Sequence, residues 1–193
     1  MPIEIEKKYR LTIDDRRAIE NRLRAHGLKP RPLEFEENTL YRGGKLKPGN
    51  QALRLRRVNN KSAMLTHKRR FPSKSPIKRQ EENETGVLDA DAANAILKSL
   101  GFEPKLVYEK RRARWQFGKA KVVIDELPFG LFMEIEASEK EIRRVEKLLG
   151  ADKLEAVHET YPALTVKFGK RRKGIVEARF SAVRVRGPTV TKG

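Results

Sequence analysis

Near its start the chain reads Ile3-Glu4-Ile5-Glu6-Lys7-Lys8-Tyr9, with charge alternating against apolar side chains at a period of two. Successive side chains of a strand point to opposite faces. Glu4, Glu6 and Lys8 therefore share one face, while Ile3, Ile5 and Tyr9 share the other with Lys7 among them. The rhythm returns in both signs. Arg54 and Arg56 alternate with Leu53 and Leu55, and Glu134 and Glu136 alternate with Met133 and Ile135. A chain that repeats this habit must fold so that one sheet face is dry and the other is charged and wet.

Eight segments carry the strand pattern, at about 3–10, 35–42, 51–59, 62–70, 77–85, 105–117, 120–126 and 130–137. Asn59-Asn60-Lys61 and Phe117-Gly118-Lys119 have the residues of hairpin connections. Three segments read as amphipathic helices stopped by glycine: Ile13–His26 before Gly27, Asp89–Leu100 before Gly101, and a helix opened by the Ser138-x-x-Glu141 capping box and closed at Gly150. Tyr161-Pro162 favours an extended or turn conformation at Tyr161. The fold class expected is α+β: an antiparallel sheet of eight short strands with about three helices outside it. Closure into a barrel would remove the sheet edges and create a wet lumen.

The length of 193 residues suits one domain. No apolar run approaches the roughly 18 residues of a membrane helix, and no apolar leader opens the chain, so a cytoplasmic protein without a membrane partner is expected. The absence of cysteine excludes disulfides, thiolate metal sites and a cysteine nucleophile. The net charge of +18 favours an anionic partner. Residues 168–193 hold eight Lys and Arg against the single acid Glu177, so removing them leaves +11 for residues 1–167. The expected organisation is a domain over 1–167 and a basic tail over 168–193, solvated or flexible, through which alone nucleic acid would bind. Val176, Phe180, Val183 and Val185 leave room in it for a short ordered element.

One parity per strand collects Glu4, Glu6, Lys8, Arg54, Arg56, Lys68, Lys78, Gln80, Glu82, Glu84, Lys110, Arg112, Arg114, Asp125, Glu134 and Glu136. Buried charges need partners and desolvation is costly, so this mixed face must meet water, outside or in a tunnel. Repeated like-signed doublets on one sheet face are unfavourable unless something neutralises them. Hard carboxylate oxygens suit Mg2+ or Mn2+, which bind through carboxylates plus phosphates, and guanidinium groups match phosphate oxygens.

The Glu4-x-Glu6-x-Lys8 opening, Leu53-Arg54-Leu55-Arg56, Leu65-Thr66-His67-Lys68, Lys110-x-Arg112, Asp125, Glu134-x-Glu136 and Thr160-Tyr161 together resemble the CYTH, or triphosphate tunnel metalloenzyme, superfamily. The resemblance covers about residues 1–166, in the family's order. It implies an eight-stranded antiparallel tunnel with the charged face inward. It further implies that Glu4, Glu6, Asp125, Glu134 and Glu136 bind metal, that Lys8, Arg54, Arg56, Lys68, Lys110 and Arg112 hold a triphosphate, and that Glu82 and Glu84 hold a second metal or position water. One position departs from the family pattern. An inward Arg often precedes the second Glu-x-Glu pair, whereas parity here gives Gln80, with Arg79 on the opposite face unless a bulge shifts it.

The activity implied is metal-dependent hydrolysis of a small-molecule triphosphate: tripolyphosphate, a nucleoside triphosphate or thiamine triphosphate. A class IV adenylate cyclase would use the same grip to make cyclic AMP and pyrophosphate from ATP. A noncatalytic module holding RNA or polyphosphate is the reading from another class. His26, His67 and His158 lie far apart without metal-ligand spacing, Trp115 reads as a packing residue, and Gly43-Gly44 reads as a turn. Tyr161 is expected to support the site rather than to react.

Overall fold

Asn59 and Asn60 both adopt left-handed backbone, with φ of 50° and 54°, and so turn the chain tightly between two strands. Gly118 at φ 60° does the same in a later hairpin. These turns belong to a computed structural model that describes residues 3–47, 49–71 and 75–181. The elements, in chain order, are β1 (Ile3–Leu11), α1 (Ile13–Ala25), β2 (Glu34–Gly43), β3 (Gln51–Val58), β4 (Ser62–Arg70), β5 (Ile77–Val87), α2 (Ala90–Ser99), β6 (Phe102–Phe117), β7 (Ala120–Leu127), β8 (Gly130–Glu136), α3 (Glu139–Leu148), α4 (Tyr161–Phe168), β9 (Lys170–Arg172) and β10 (Ile175–Ala178).

The strands run in the order β2-β3-β4-β5-β1-β8-β7-β6, and β6 pairs back onto β2, so eight antiparallel strands close into a barrel. Closure leaves none of the eight with an open edge along its whole length. Side chains of one parity then fill the lumen and those of the other parity face outward.

The dry core lies outside the barrel wall. Tyr9, Trp115, Val122, Ile124, Met133 and Ile135 turn outward and meet Ile19 and Leu23 of α1 and Ile142 and Val145 of α3. On the opposite flank Leu97 of α2 covers Tyr41, Leu55 and Ala63. Trp115 is a packing residue, only 2% exposed. Truncating such a side chain to alanine costs about 3–5 kcal/mol.

The helix boundaries follow their caps. Thr12 and Asp15 form a reciprocal capping box, Asp89 accepts from the amides of Asp91 and Ala92, and Ser138 accepts from that of Glu141. Gly27, Gly101 and Gly150 stop three helices at positive φ. At Gly150 a Cβ would meet Arg22, which donates to the carbonyl of Leu149, the residue that caps α3, so glycine serves both turn and contact there.

One expectation changes. Tyr161 is not extended but opens a fourth helix, because the Thr160 side chain accepts from the Ala163 amide and a proline is tolerated in a first turn, where its missing N–H is not needed. Tyr161 and Leu164 of this helix join Leu40, Leu106, Tyr108, Leu127 and Phe132 in an apolar plug against the barrel. The basic segment begins as structure. β9 and β10 form a hairpin, and β10 lies parallel to residues 106–108 of β6. Arg179 then binds Glu37 and Glu109, and Phe180 stacks beneath Arg111. Val183, Val185 and the basic residues after them lie outside the described residues.

Candidate active site in the barrel lumen

The register explains how distant residues meet. Glu6 faces both Glu136 on β8 and Lys78 on β5, Lys8 faces Glu134, and Glu4 faces Gln80. On the far side of the barrel Arg56 opposes Asn38, Thr66 opposes Glu84, and Lys68 opposes Glu82. Of the residues that parity sends inward, Lys78 and Asp125 stand off the cavity and the others line it. The cavity measures about 220 Å³ and is lined by Glu4, Glu6, Lys8, Arg54, Arg56, Lys68, Glu82, Glu84, Lys110, Arg112, Glu134 and Glu136, among others.

Glu4, Glu6 and Glu136 form one cluster, each offering a carboxylate oxygen within 4.8 Å of the others. Burial raises the Glu6 carboxyl above its ordinary range and the nearby Glu134 charge raises it further. Burial and Glu4 do the same to Glu136. Three hard oxygen donors pressed together at this cost fit a divalent cation. At Glu4 burial also acts upward, but the hydrogen bond from Glu82 and the charge of Lys68, 2.8 Å away, hold it low instead. Glu82 carries the opposite shift, pushed up to about 7 by burial and by its hydrogen bond to Glu4.

The cations surround this cluster already paired. Lys8 lies 3.3 Å from Glu134, and its ammonium sits 3.7 Å above the Tyr161 ring. Arg54 lies 3.8 Å from Glu82 and 3.7 Å from Glu84, whose carboxylate also accepts from Thr66 at 2.7 Å. Lys110 is 1% exposed, between Glu36 at 3.2 Å and Asp125 at 3.6 Å. Burial and the Arg112 charge bring its pKa down to about 8. Lys78, 3.7 Å from Glu6, is brought to about 8 by burial and Lys8.

Of the five carboxylates expected on a metal, the fold brings Glu4, Glu6 and Glu136 together and sets Glu134 beside them. Asp125 stands elsewhere. It is fully buried, held by both arms of Arg112 and by the Tyr161 hydroxyl at 2.8 Å. No bulge rescues Arg79 either. It points outward to Glu139 at 2.5 Å, while Gln80 enters the lumen and donates to Glu4 at 2.6 Å.

Strand β2 supplies lumen residues that sequence reading missed. Glu36 is fully buried, 3.4 Å from Arg56 and 3.3 Å from Arg114, with the buried Asn38 beside it. Arg70 and Lys121 also line the cavity. The parity rule reaches all of them, since Glu34, Glu36 and Asn38 recur at a period of two, as do Lys68 and Arg70. The three histidines stay apart. His26 ends α1 and meets the Phe117 ring edge-on at 5.1 Å.

A sequence model described as the CYTH domain matches residues 2–163. The Methanocaldococcus jannaschii protein named "Putative adenylate cyclase MJ0240" is 28% identical over 180 residues, covering 91% of this chain and 98% of its own. Among solved structures, the PH1012 protein of Pyrococcus horikoshii is 26% identical with a TM-score of 0.68, covering 79% of this chain and 94% of its own. The Hippeastrum protein described as "Putative adenylyl cyclase HpAC1", for which a dominant triphosphatase activity is stated, superposes with a TM-score of 0.64 over 84% of this chain and 94% of its own. At 18% identity that likeness shows the fold alone.

Proposed function

The chain belongs to the CYTH domain family, and on that premise we propose that its lumen hydrolyses a linear triphosphate with Mg2+ or Mn2+ as cofactor. One observation carries the reading: the Glu4, Glu6 and Glu136 cluster opens onto the same cavity as Lys8, Arg54, Arg56, Lys68, Lys110 and Arg112. Carboxylates alone would repel phosphate, and cations alone would need no such cluster. Together they match a metal-bound polyphosphate. The cavity is smaller than the roughly 300–1,000 Å³ of drug-sized sites, which suits a phosphate chain more than a whole nucleotide.

When bound at Glu4, Glu6 and Glu136, with Glu134 adjoining, the divalent ion supplies Lewis-acid polarisation of phosphate oxygens. The protein does the rest. Arg54, Arg56, Lys110 and Arg112 hold the nonbridging oxygens, and Lys8 and Lys68 carry the charge that develops on the leaving oxygen. Glu82 and Glu84, on the lumen wall beside Arg54, position the attacking water. A P–O bond forms to water as the bond to the bridging oxygen breaks, so tripolyphosphate yields orthophosphate and pyrophosphate. Asp125 acts behind the site by fixing Arg112.

A second reading is supported by the name of the 28% identical archaeal relative: cyclisation of ATP to cyclic AMP and pyrophosphate through the same grip. Product analysis separates the two. Purified protein supplied with tripolyphosphate and, separately, with ATP is expected to release orthophosphate from both and no cyclic AMP. Cyclic AMP with pyrophosphate from ATP, and no reaction with tripolyphosphate, would replace hydrolysis by cyclisation.

A further inference from the structure

Arg70 projects into the lumen from the last residue of β4, at the register position opposite Gln80. The other cations of the lumen each have a carboxylate within 4 Å, among them Lys8, Lys68, Lys78 and Arg114. The Arg70 amide donates to the Asn50 carbonyl at 2.9 Å, but its guanidinium has no hydrogen-bond or ion-pair partner among the described residues. Burial pushes its pKa below the ordinary guanidinium value, and only the charge of Glu6 works against that. Its neighbour across the strand offers no compensation, because the Gln80 amide is turned toward Glu4.

Arg70 also marks a boundary. Together with Asn50 and Gln51 it lines both the lumen and a second depression that continues outward past Lys47, Arg69 and Phe71. A ligand entering or leaving by that side passes the guanidinium. A planar fork of N–H donors without a counter-ion, half withdrawn from water, is matched by phosphate oxygens better than by any group of the wall.

We propose that Arg70 is a substrate-binding residue, contacting the phosphate nearest this mouth and supplying the positive charge that position 80 lacks. The inference rests on the triphosphatase reading above, and the test separates the two. Arg70→Ala is compared with the native protein in steady-state hydrolysis of tripolyphosphate, and by calorimetric titration of tripolyphosphate in EDTA, where nothing turns over. A charge-assisted contact of this kind predicts a KM and a Kd raised about 10- to 100-fold, with kcat changing much less. The exchanged pair Arg70→Gln with Gln80→Arg returns the charge to the opposite strand and is expected to recover most of the affinity, which a purely structural role of Arg70 would not produce. If the native protein is active and Arg70→Ala leaves KM and Kd unchanged, or lowers kcat alone, the proposal falls and the triphosphatase reading stands. If the native protein hydrolyses nothing, that reading falls. A Kd weakened by Arg70→Ala then still supports the contact, and an unchanged or undetectable Kd overturns it.

Discussion

Arg112 grips Asp125 with both arms of its guanidinium, Nε lying 2.6 Å from Oδ1 and Nη2 meeting Oδ2, at a carboxylate with no exposed surface. Nη2 also reaches Glu134 at 2.9 Å. The pair aims Arg112 at the cavity, and in the mechanism proposed above Asp125 fixes that cation rather than ligating metal. Removing one charge of such a pair costs about 3–5 kcal/mol. Asp125→Asn is therefore expected to lower the melting temperature by roughly 10 °C, at about 2–4 °C per kcal/mol for a chain of this size, while a metal-induced rise persists. An unchanged melting temperature with the metal response lost would return Asp125 to the ligand set.

The Glu4, Glu6 and Glu136 cluster gives a prediction of opposite sign. Three carboxylate oxygens within 4.8 Å repel one another until a cation joins them. Mn2+ or Mg2+ is expected to raise the melting temperature of the native protein, and to go on raising it with the logarithm of concentration once the site is full. Glu6→Gln with Glu136→Gln is expected to keep the fold, to match or exceed the metal-free native stability, and to show no response to metal. Tripolyphosphate turnover should fall at least ~100-fold, as for loss of a major electrostatic contact in a transition state. Thermal melts across a metal titration, paired with phosphate release, check both statements.

Glu36, like Glu4 and Glu134, contributes to stability at low pH. Burial alone would raise its pKa, but Lys110, Arg56 and Arg112 hold it well below 4.5. The folded state thus favours the ionised form. Its contribution is complete above pH 4.5 and is lost as pH falls through the depressed folded value. Glu36→Gln removes the contribution. The variant is expected to be less stable by about 3–5 kcal/mol at neutral pH, and to lose stability less steeply than the native protein below pH 4.5. Urea unfolding at a series of pH values measures both slopes.

Tyr161 separates support from chemistry. Its hydroxyl donates to Asp125 at 2.8 Å and its ring lies under Lys8. Tyr161→Phe keeps the ring and removes one hydrogen bond, so a loss of about 1–3 kcal/mol is expected with kcat for tripolyphosphate changed only a few-fold. Tyr161→Ala opens the apolar plug and is expected to cost about 3–5 kcal/mol. A collapse of kcat in the Phe variant with unchanged stability would make the hydroxyl a participant.

The barrel and most of its lining were legible because a strand's period of two is undiluted where Glu-x-Glu, Arg-x-Arg and Lys-x-Arg alternate with Leu, Ile and Met. The signal failed where charges adjoin. In Glu36-Glu37 both parities are acidic, although only Glu36 turns inward. In Lys68-Arg69-Arg70 the run hides that Arg69 faces out toward Glu81 while Arg70 enters the lumen. Asp125 was assigned from its place in a motif, but its partners are set by the pairing of β6 with β7, which puts Arg112 opposite it. The helix at Tyr161 was hidden because the local preference of a residue before proline was outweighed by the Thr160 cap and by burial of Tyr161 and Leu164. Register and tertiary burial, not composition, decided these positions.

The central claim is most directly tested by orthophosphate release from tripolyphosphate by the purified, folded protein in Mg2+, in Mn2+ and in EDTA. Turnover is expected with a divalent ion and none in EDTA. The claim is contradicted if tripolyphosphate is left intact under every condition. If ATP and thiamine triphosphate are also left intact, the lumen holds anions without reacting them.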